Sequence, residues 1–357
     1  MQKHAASGWR IRPCFDTASF APPWNILSRA MILAVAAFAR LVMAAGQRQI
    51  RLVGAERFLK ARDSSRGLIT GTKGRTMDDP LMWGMFPLRT WTRGRIRWAL
   101  AAADICFTGP FRALFFSLGQ TLPTERYGAG LFQTAIEDAI RLVSDPARAW
   151  IHVFPEGRVQ QHPQHTIHYF RWGISRIILE AAVRSNQLPY VLPIFLRGFD
   201  QISPELHPVE FQDMQMEKNV QLSSTSVILQ QLFQRFLKQP YLFLQRFPRF
   251  GYKIEAHFGP PIPDAQLATF VDVWRELCQK TKTSNTETYT GNVTSGTSSH
   301  HPNAFEPFPT SSTIDDSPIA RQLRSDLAAL LHQHVSRLCH EASRSDISDT
   351  KNDTLLF

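Results

Sequence analysis

The sequence predicts an α/β fold: a mixed, mostly parallel sheet flanked by helices, in one principal domain with an N-terminal membrane-associating helix. Three observations predict it. The runs "AWIHVF" (149–154) and "YVLPIFLRGF" (190–199) are continuously apolar and β-branched, as strands buried on both faces are. Between them "RWGISRIILEAAVRS" (171–185) spaces its apolar residues as an amphipathic helix does. Strand–helix–strand order of this kind belongs to parallel sheets. Hydrophobic residues make up 43% of the 357 positions, enough to bury a large core.

The elements follow in order. Residues 1–21 are basic and acid-poor, with Lys3, Arg10 and Arg12 against Asp16, and read as disordered. Residues 22–48 form the membrane-associating helix. Its uncharged stretch, 30–39, lies between Arg29 and Arg40, so it is short of an orthodox transmembrane run. Such a helix lies in the interface with both arginines reaching phosphates, or else packs as a buried core helix. The main domain is 49–280. It begins with a strand at 67–70 and a helix starting near Asp79 and Pro80, where Asp caps and Pro fits the first turn. Segment 97–126 mixes helix, a short strand near Ile105 and a helix over 111–118. A helix at 130–143 follows, with Ala135, Ile136, Ala139, Ile140 and Val143 at helical spacing. The last strand is 252–262 and the last helix of the domain 270–282. Residues 281–320, rich in Ser and Thr, read as a disordered linker, and 321–357 as a C-terminal helix and tail. Phe111, Phe115 and Phe116 read as core or as greasy surface.

The net charge of +10 suits an anionic partner. The basic residues are scattered and match no nucleic-acid motif, which leaves an anionic phospholipid surface and argues against nucleic acid. Cys14, Cys106, Cys278 and Cys339 lie far apart without a CxxC pair, so neither a disulfide framework nor a metal site is expected, and no cofactor.

The stretch "IHVFPEGRV" carries the chemistry. A strand that stops at Phe154 delivers the next residues to the crevice at its C-terminal end, the usual ligand crevice of an open α/β sheet. Pro155 stiffens the exit, Gly157 admits positive φ or a close ligand, Arg158 can meet a phosphate, and Glu156 can accept from a hydroxyl-rich headgroup. A plain strand-to-loop turn with a surface ion pair is the competing reading.

"FPEG", together with the ordered blocks "MDDPLMWG", "ADICFT", "FFSLGQTLPTER", "YFRWGISRIILE" and "PIFLRGFD", resembles the glycerophospholipid acyltransferase superfamily. The resemblance covers roughly residues 24–265. It sharpens toward a branch of CoA-independent phospholipid–lysophospholipid transacylases that remodel cardiolipin in mitochondria. It implies an acyltransferase-like domain, phospholipid and lysophospholipid substrates, and a peripheral or monotopic place on mitochondrial membranes facing the intermembrane space. By match, Asp78 is the carboxylate of a His-x4-Asp dyad, with Asp79 competing as a helix cap. Arg126 is a phosphate-binding candidate, against an ion pair with Glu125. Phe154, Pro155, Glu156, Gly157 and Arg158 line the headgroup crevice, and Pro193 shapes the acyl channel.

One departure is conspicuous. The family's general-base histidine is expected five positions before Asp78, and Lys73 stands there. Three readings compete. Lys73 acts as base, which requires its pKa to fall by about three units. The chain is an inactive, membrane-bound lipid-binding relative. Or residues 71–76 come from a misplaced exon junction. His152 is a possible surrogate base, although its place inside a strand favours packing.

Overall fold

The computed structural model describes residues 22–72, 78–92, 95–126, 130–145, 149–157, 167–202, 249–288 and 317–344. A seven-stranded sheet organises them. Its strands are β1 (Gln49–Val53), β2 (Leu68–Thr72), β3 (Arg97–Ala102), β4 (Thr121–Thr124), β5 (Trp150–Val153), β6 (Tyr190–Arg197) and β7 (Lys253–Phe258). Their order across the sheet is β1-β7-β6-β2-β5-β3-β4. Only β6 and β7 pair antiparallel; every other neighbour is parallel. This is the mixed, mostly parallel α/β architecture that the sequence predicts.

Two faces of the sheet bury two apolar layers. Leu68, Trp150, Leu192 and Ile194 pack beneath α1 (Pro22–Gly46), α2 (Ala55–Arg62) and α3 (Asp78–Gly84). Phe58, Trp83, Phe86, Trp91 and Trp150 form an aromatic cluster there, with ring centroids such as Trp83–Trp150 at 4.7 Å and Phe58–Trp150 at 4.8 Å. On the other face Ile69, Ile151, Val153 and Val191 pack against α7 (Thr134–Ser144) and α8 (Gly173–Ser185). Leu267 and Trp274 of the long helix α10 (Asp264–Thr288) and Leu327 and Leu331 of α11 (Pro318–Arg344) extend that layer. Among the described residues the remaining helices are short: α4 (Arg89–Thr92), α5 (Ala103–Cys106), α6 (Pro110–Leu118) and α9 (Phe199–Ile202).

Several local expectations are corrected. Ile105 lies in the helical turn α5; the strand is the preceding "RWALAA", whose alanines favour helix locally but whose pairing with β5 and β4 makes it β3. The edge strands β1 and β4 were not anticipated. β4 contains Pro123, which an edge strand tolerates. Helix α10 runs on to Thr288, past the expected linker boundary at 281. Helix α11 begins at Pro318, where Ser317 Oγ accepts from Ala320 N–H at 3.1 Å. Helix α1 is as long and apolar over Trp24–Ala44 as a helix needs to be to cross a bilayer, in spite of its two arginines.

The central strands are tied by more than their ladder. Trp150 Nε1–H donates to Thr70 Oγ1 at 2.9 Å, and Thr70 Oγ1 lies 2.7 Å from His152 Nδ1. An indole can only donate, so the threonine oxygen accepts there; its own proton can go to Nδ1 or to Ile151 O at 3.5 Å. His152 is held by this contact at Nδ1. It is fully buried between the rings of Trp83 and Phe154. Burial pulls its pKa down to about 4; nearby Asp79 opposes this and Arg97 adds to it. Fully buried within the sheet, this imidazole is out of a substrate's reach, so packing, not base catalysis, is what its geometry supports.

The sign of the pH effect follows. Below pH 6.5 the unfolded chain protonates this imidazole while the folded one resists down to about 4. Stability is thus lost as pH falls through that window, by about 1.4 kcal/mol per pH unit at the steepest. Urea midpoints between pH 7 and 4.5 should fall more gently in His152→Asn than in the parent; equal slopes would contradict the assignment.

Candidate active site

β2 and β5 are neighbours and parallel, with Gly71 opposite Val153. Their C-terminal ends therefore open on the same edge of the sheet. From β2 the chain passes through 73–77 to α3, whose first residue is Asp78. From β5 it passes into Phe154, Pro155, Glu156 and Gly157. Pro155 packs over Gly71, so the two exits touch. Lys73 and Arg158 lie outside the described residues, as does the side chain of Asp78.

Asp79 is tied into the structure: it accepts from Trp83 Nε1–H at 2.9 Å and forms an ion pair with Arg97. That fastens α3 to β3 and accounts for the second carboxylate of the pair.

The turn after β5 is tight. Gly157 N–H donates to Phe154 O at 3.0 Å, and Gly157 takes φ +63°. A Cβ there would sit 3.0 Å from Arg171 Cγ, so this glycine serves both the conformation and the approach of Arg171. Arg171 N–H in turn donates to Pro155 O at 2.7 Å, docking a distant segment on the turn. Glu156 is turned inward: it is 1% exposed and is not among the residues lining the adjoining cavity. The expectation that it faces the headgroup crevice is corrected in that respect: the turn sends Phe154, Pro155 and Gly157 to the cavity and Glu156 to the interior.

The cavity has a volume of about 700 Å³ and lies at the C-terminal ends of β3, β4 and β5. Leu100, Ile136, Val153 and Phe170 give it an apolar wall. Its cations are Arg126 and Arg171. Arg126 is held by Asp104, Nε to Oδ1 at 3.0 Å and Nη2 to Oδ2 at 2.5 Å. Arg171 lies over the Tyr169 ring at 5.5 Å. The first residues of α8, Gly173 and Ile174, also belong to the wall, so the positive end of a three-turn helix meets the same space. Arg176, nearly buried, ties α8 to α7 through Glu137 at 3.0 Å, is held within α8 by Glu180 at 2.6 Å, and donates to Leu131 O beside the cavity. Cys106 lines the wall too, but burial pushes its thiol pKa up to about 11, with Asp104 and Asp79 raising it and Arg112 and Arg126 lowering it. It stays protonated and is a poor nucleophile.

An apolar chamber with guanidinium groups and a helix N-terminus at one side fits an amphiphile with an anionic head. Of the residues expected from sequence, Arg126, Phe154, Pro155 and Gly157 meet in this cavity. Pro193 does not: it is buried in β6 under Gly259. Arg171 and Asp104 were missed. The block "YFRWGISRIILE" contains Arg171, but only the backbone bond to Pro155 shows why that arginine reaches the site.

Comparison with known proteins agrees with this arrangement. The Acyltransferase family model matches residues 49–197, from the first residue of β1 to the last of β6. The chain is 29% identical to tafazzin of Saccharomyces cerevisiae over 92% of its own length and 82% of that protein's. It is 34% identical to tafazzin of Drosophila melanogaster over 53% of its own length, spanning about half (49%) of that relative. Among solved structures, the 1-acyl-sn-glycerophosphate acyltransferase PlsC of Thermotoga maritima overlaps with a TM-score of 0.39 at 13% identity, covering 74% of this chain and 81% of that one, a likeness too slight to build on. The family model covers the sheet from β1 to β6 and the yeast relative nearly the whole chain, so the chain is similar to the tafazzins and, over residues 49–197, to the Acyltransferase family.

Proposed function

We propose that the chain is a CoA-independent phospholipid–lysophospholipid transacylase that remodels cardiolipin in mitochondrial membranes, facing the intermembrane space. The observation that carries this reading is the cavity itself. It is apolar along one wall, cationic at Arg126 and Arg171, and lies at the ends of β3, β4 and β5, from the last of which the Phe154–Pro155 segment emerges.

In this reaction the acceptor supplies its own nucleophile. A base removes the proton from the lysolipid hydroxyl, the oxygen attacks the donor's ester carbonyl, and the tetrahedral intermediate expels the donor's alcohol oxygen, which takes the proton back. Asp78 would orient the base, and Lys73 occupies the base's position. An ammonium group with an ordinary pKa is protonated at neutral pH and is a weak base there. The chain as written is therefore expected to transfer acyl groups slowly, and Lys73→His to raise the rate by at least about a hundredfold, the usual worth of a positioned general base. The assay follows a labelled acyl group from phosphatidylcholine to lysocardiolipin. Equal rates in both proteins would remove position 73 from the mechanism. Vesicle binding without transfer in either would favour the inactive lipid-binding relative instead.

The two cavity arginines give a second test. Arg171→Ala and Arg126→Ala should each raise KM for an anionic lysolipid roughly tenfold with a smaller change in kcat, since a headgroup contact is made alike in ground and transition states. Arg171→Lys should recover part of the loss. An unchanged KM in both alanine variants, measured with the same labelled donor, would place the headgroup elsewhere.

A further inference from the structure

Helix α6 exposes what a helix usually buries. Its sequence, PFRALFFSL, sets Phe111, Leu114 and Phe115 on one stripe at i, i+3, i+4 spacing. That stripe points outward: Phe111 is 87% exposed, Leu114 41% and Phe115 45%, whereas Ala113 and Ser117 are buried. The core reading of Phe111 and Phe115 is thereby corrected. A stripe of this kind on the outside marks a surface that leaves water when the protein works.

The stripe has a neighbour of the same character. Ser28 Oγ of α1 donates to Leu118 O at the end of α6 at 2.7 Å, fastening the two helices together. Helix α1 exposes Ile26, Leu27, Phe38 and Leu41. Neither helix contains an Asp or a Glu, and their charged residues are Arg29, Arg40 and Arg112. Large apolar side chains among cations, with no carboxylate, suit an anionic bilayer surface. At its other end α6 joins α5, where Ile105 and Cys106 line the cavity.

We propose that α6 is a second membrane-inserting element. Phe111, Leu114 and Phe115 enter the acyl layer of an anionic phospholipid leaflet beside α1, with Arg112 and Arg29 at the headgroups. This sets the Ile105 rim of the cavity level with the leaflet, so an acyl chain passes from bilayer to cavity without crossing water. The last step rests on the transacylase reading; the membrane contact does not.

The test is flotation of the full chain with vesicles of phosphatidylcholine, alone or with an anionic phospholipid. Phe111→Ser/Phe115→Ser should bind anionic vesicles at least about tenfold more weakly than the parent, since two phenyl groups no longer leave water. Phe111→Leu/Phe115→Leu, which keeps the stripe apolar, should bind like the parent. Matching thermal melts in detergent check that all three fold alike. Parent-like binding by the serine variant overturns the proposal, as does equal loss in the leucine variant or no binding by the parent. Transfer to a water-dispersed short-chain lysolipid separates the two readings. Loss of vesicle binding with this transfer intact is the expected result for the serine variant. A parent that binds through α6 but transfers nothing upholds the membrane contact and defeats the transacylase reading alone.

Discussion

Parallel pairing of β2 with β5 is the constraint on which the site depends. It brings two segments that are far apart in the chain to one edge of the sheet, with Gly71 against Pro155 at the point where they part. The hydrogen-bonded run from Trp150 through Thr70 to His152 fixes that register from within. A slip of one residue would move Trp150 out of the aromatic cluster and His152 out of its pocket, exchanging the contents of both faces. The same pairing leaves His152 neutral and occupied, so the strand's histidine holds the site in place rather than acting in it.

The cavity is then a consequence of what flanks that pair. α7 and α8, clamped by Arg176 between Glu137 and Glu180, form one side; α5 and the end of β4, joined by the Asp104–Arg126 pair, form another. The polar members are held in ion pairs or by backbone bonds before any ligand arrives, which lowers the ordering cost of binding an anionic head. Around the rim, α1 and α6 present apolar side chains and no carboxylate, so the chamber and the outer surface suit the same class of molecule.

Much of this was legible in the sequence, for physical reasons. β2, β5 and β6 are buried on both faces and announce themselves as continuous apolar runs. β3 did not, because "RWALAA" is locally helix-prone and becomes a strand only by lying between two others. β1 and β4 are short edge strands with weak patterns. The 154–157 exit was legible from where the apolar run stops. The inward turn of Glu156 was not, since it depends on the φ of Gly157 and the bond from Arg171 to Pro155. Arg126 was expected as a phosphate-binding residue, but its tie to Asp104 joins two elements that only the folded sheet brings together. α6 has the periodicity of a core helix, and periodicity alone cannot say which way a stripe faces.

The central claim is that the chamber beside the β5 exit holds a phospholipid. Photo-crosslinking with a phospholipid carrying a photoreactive acyl chain, followed by peptide mapping, tests it most directly. Label should concentrate in the peptides that contain Ile105, Ile136, Phe154 and Phe170. Label confined to the opposite face of the sheet, around Phe58 and Trp91, would contradict the account.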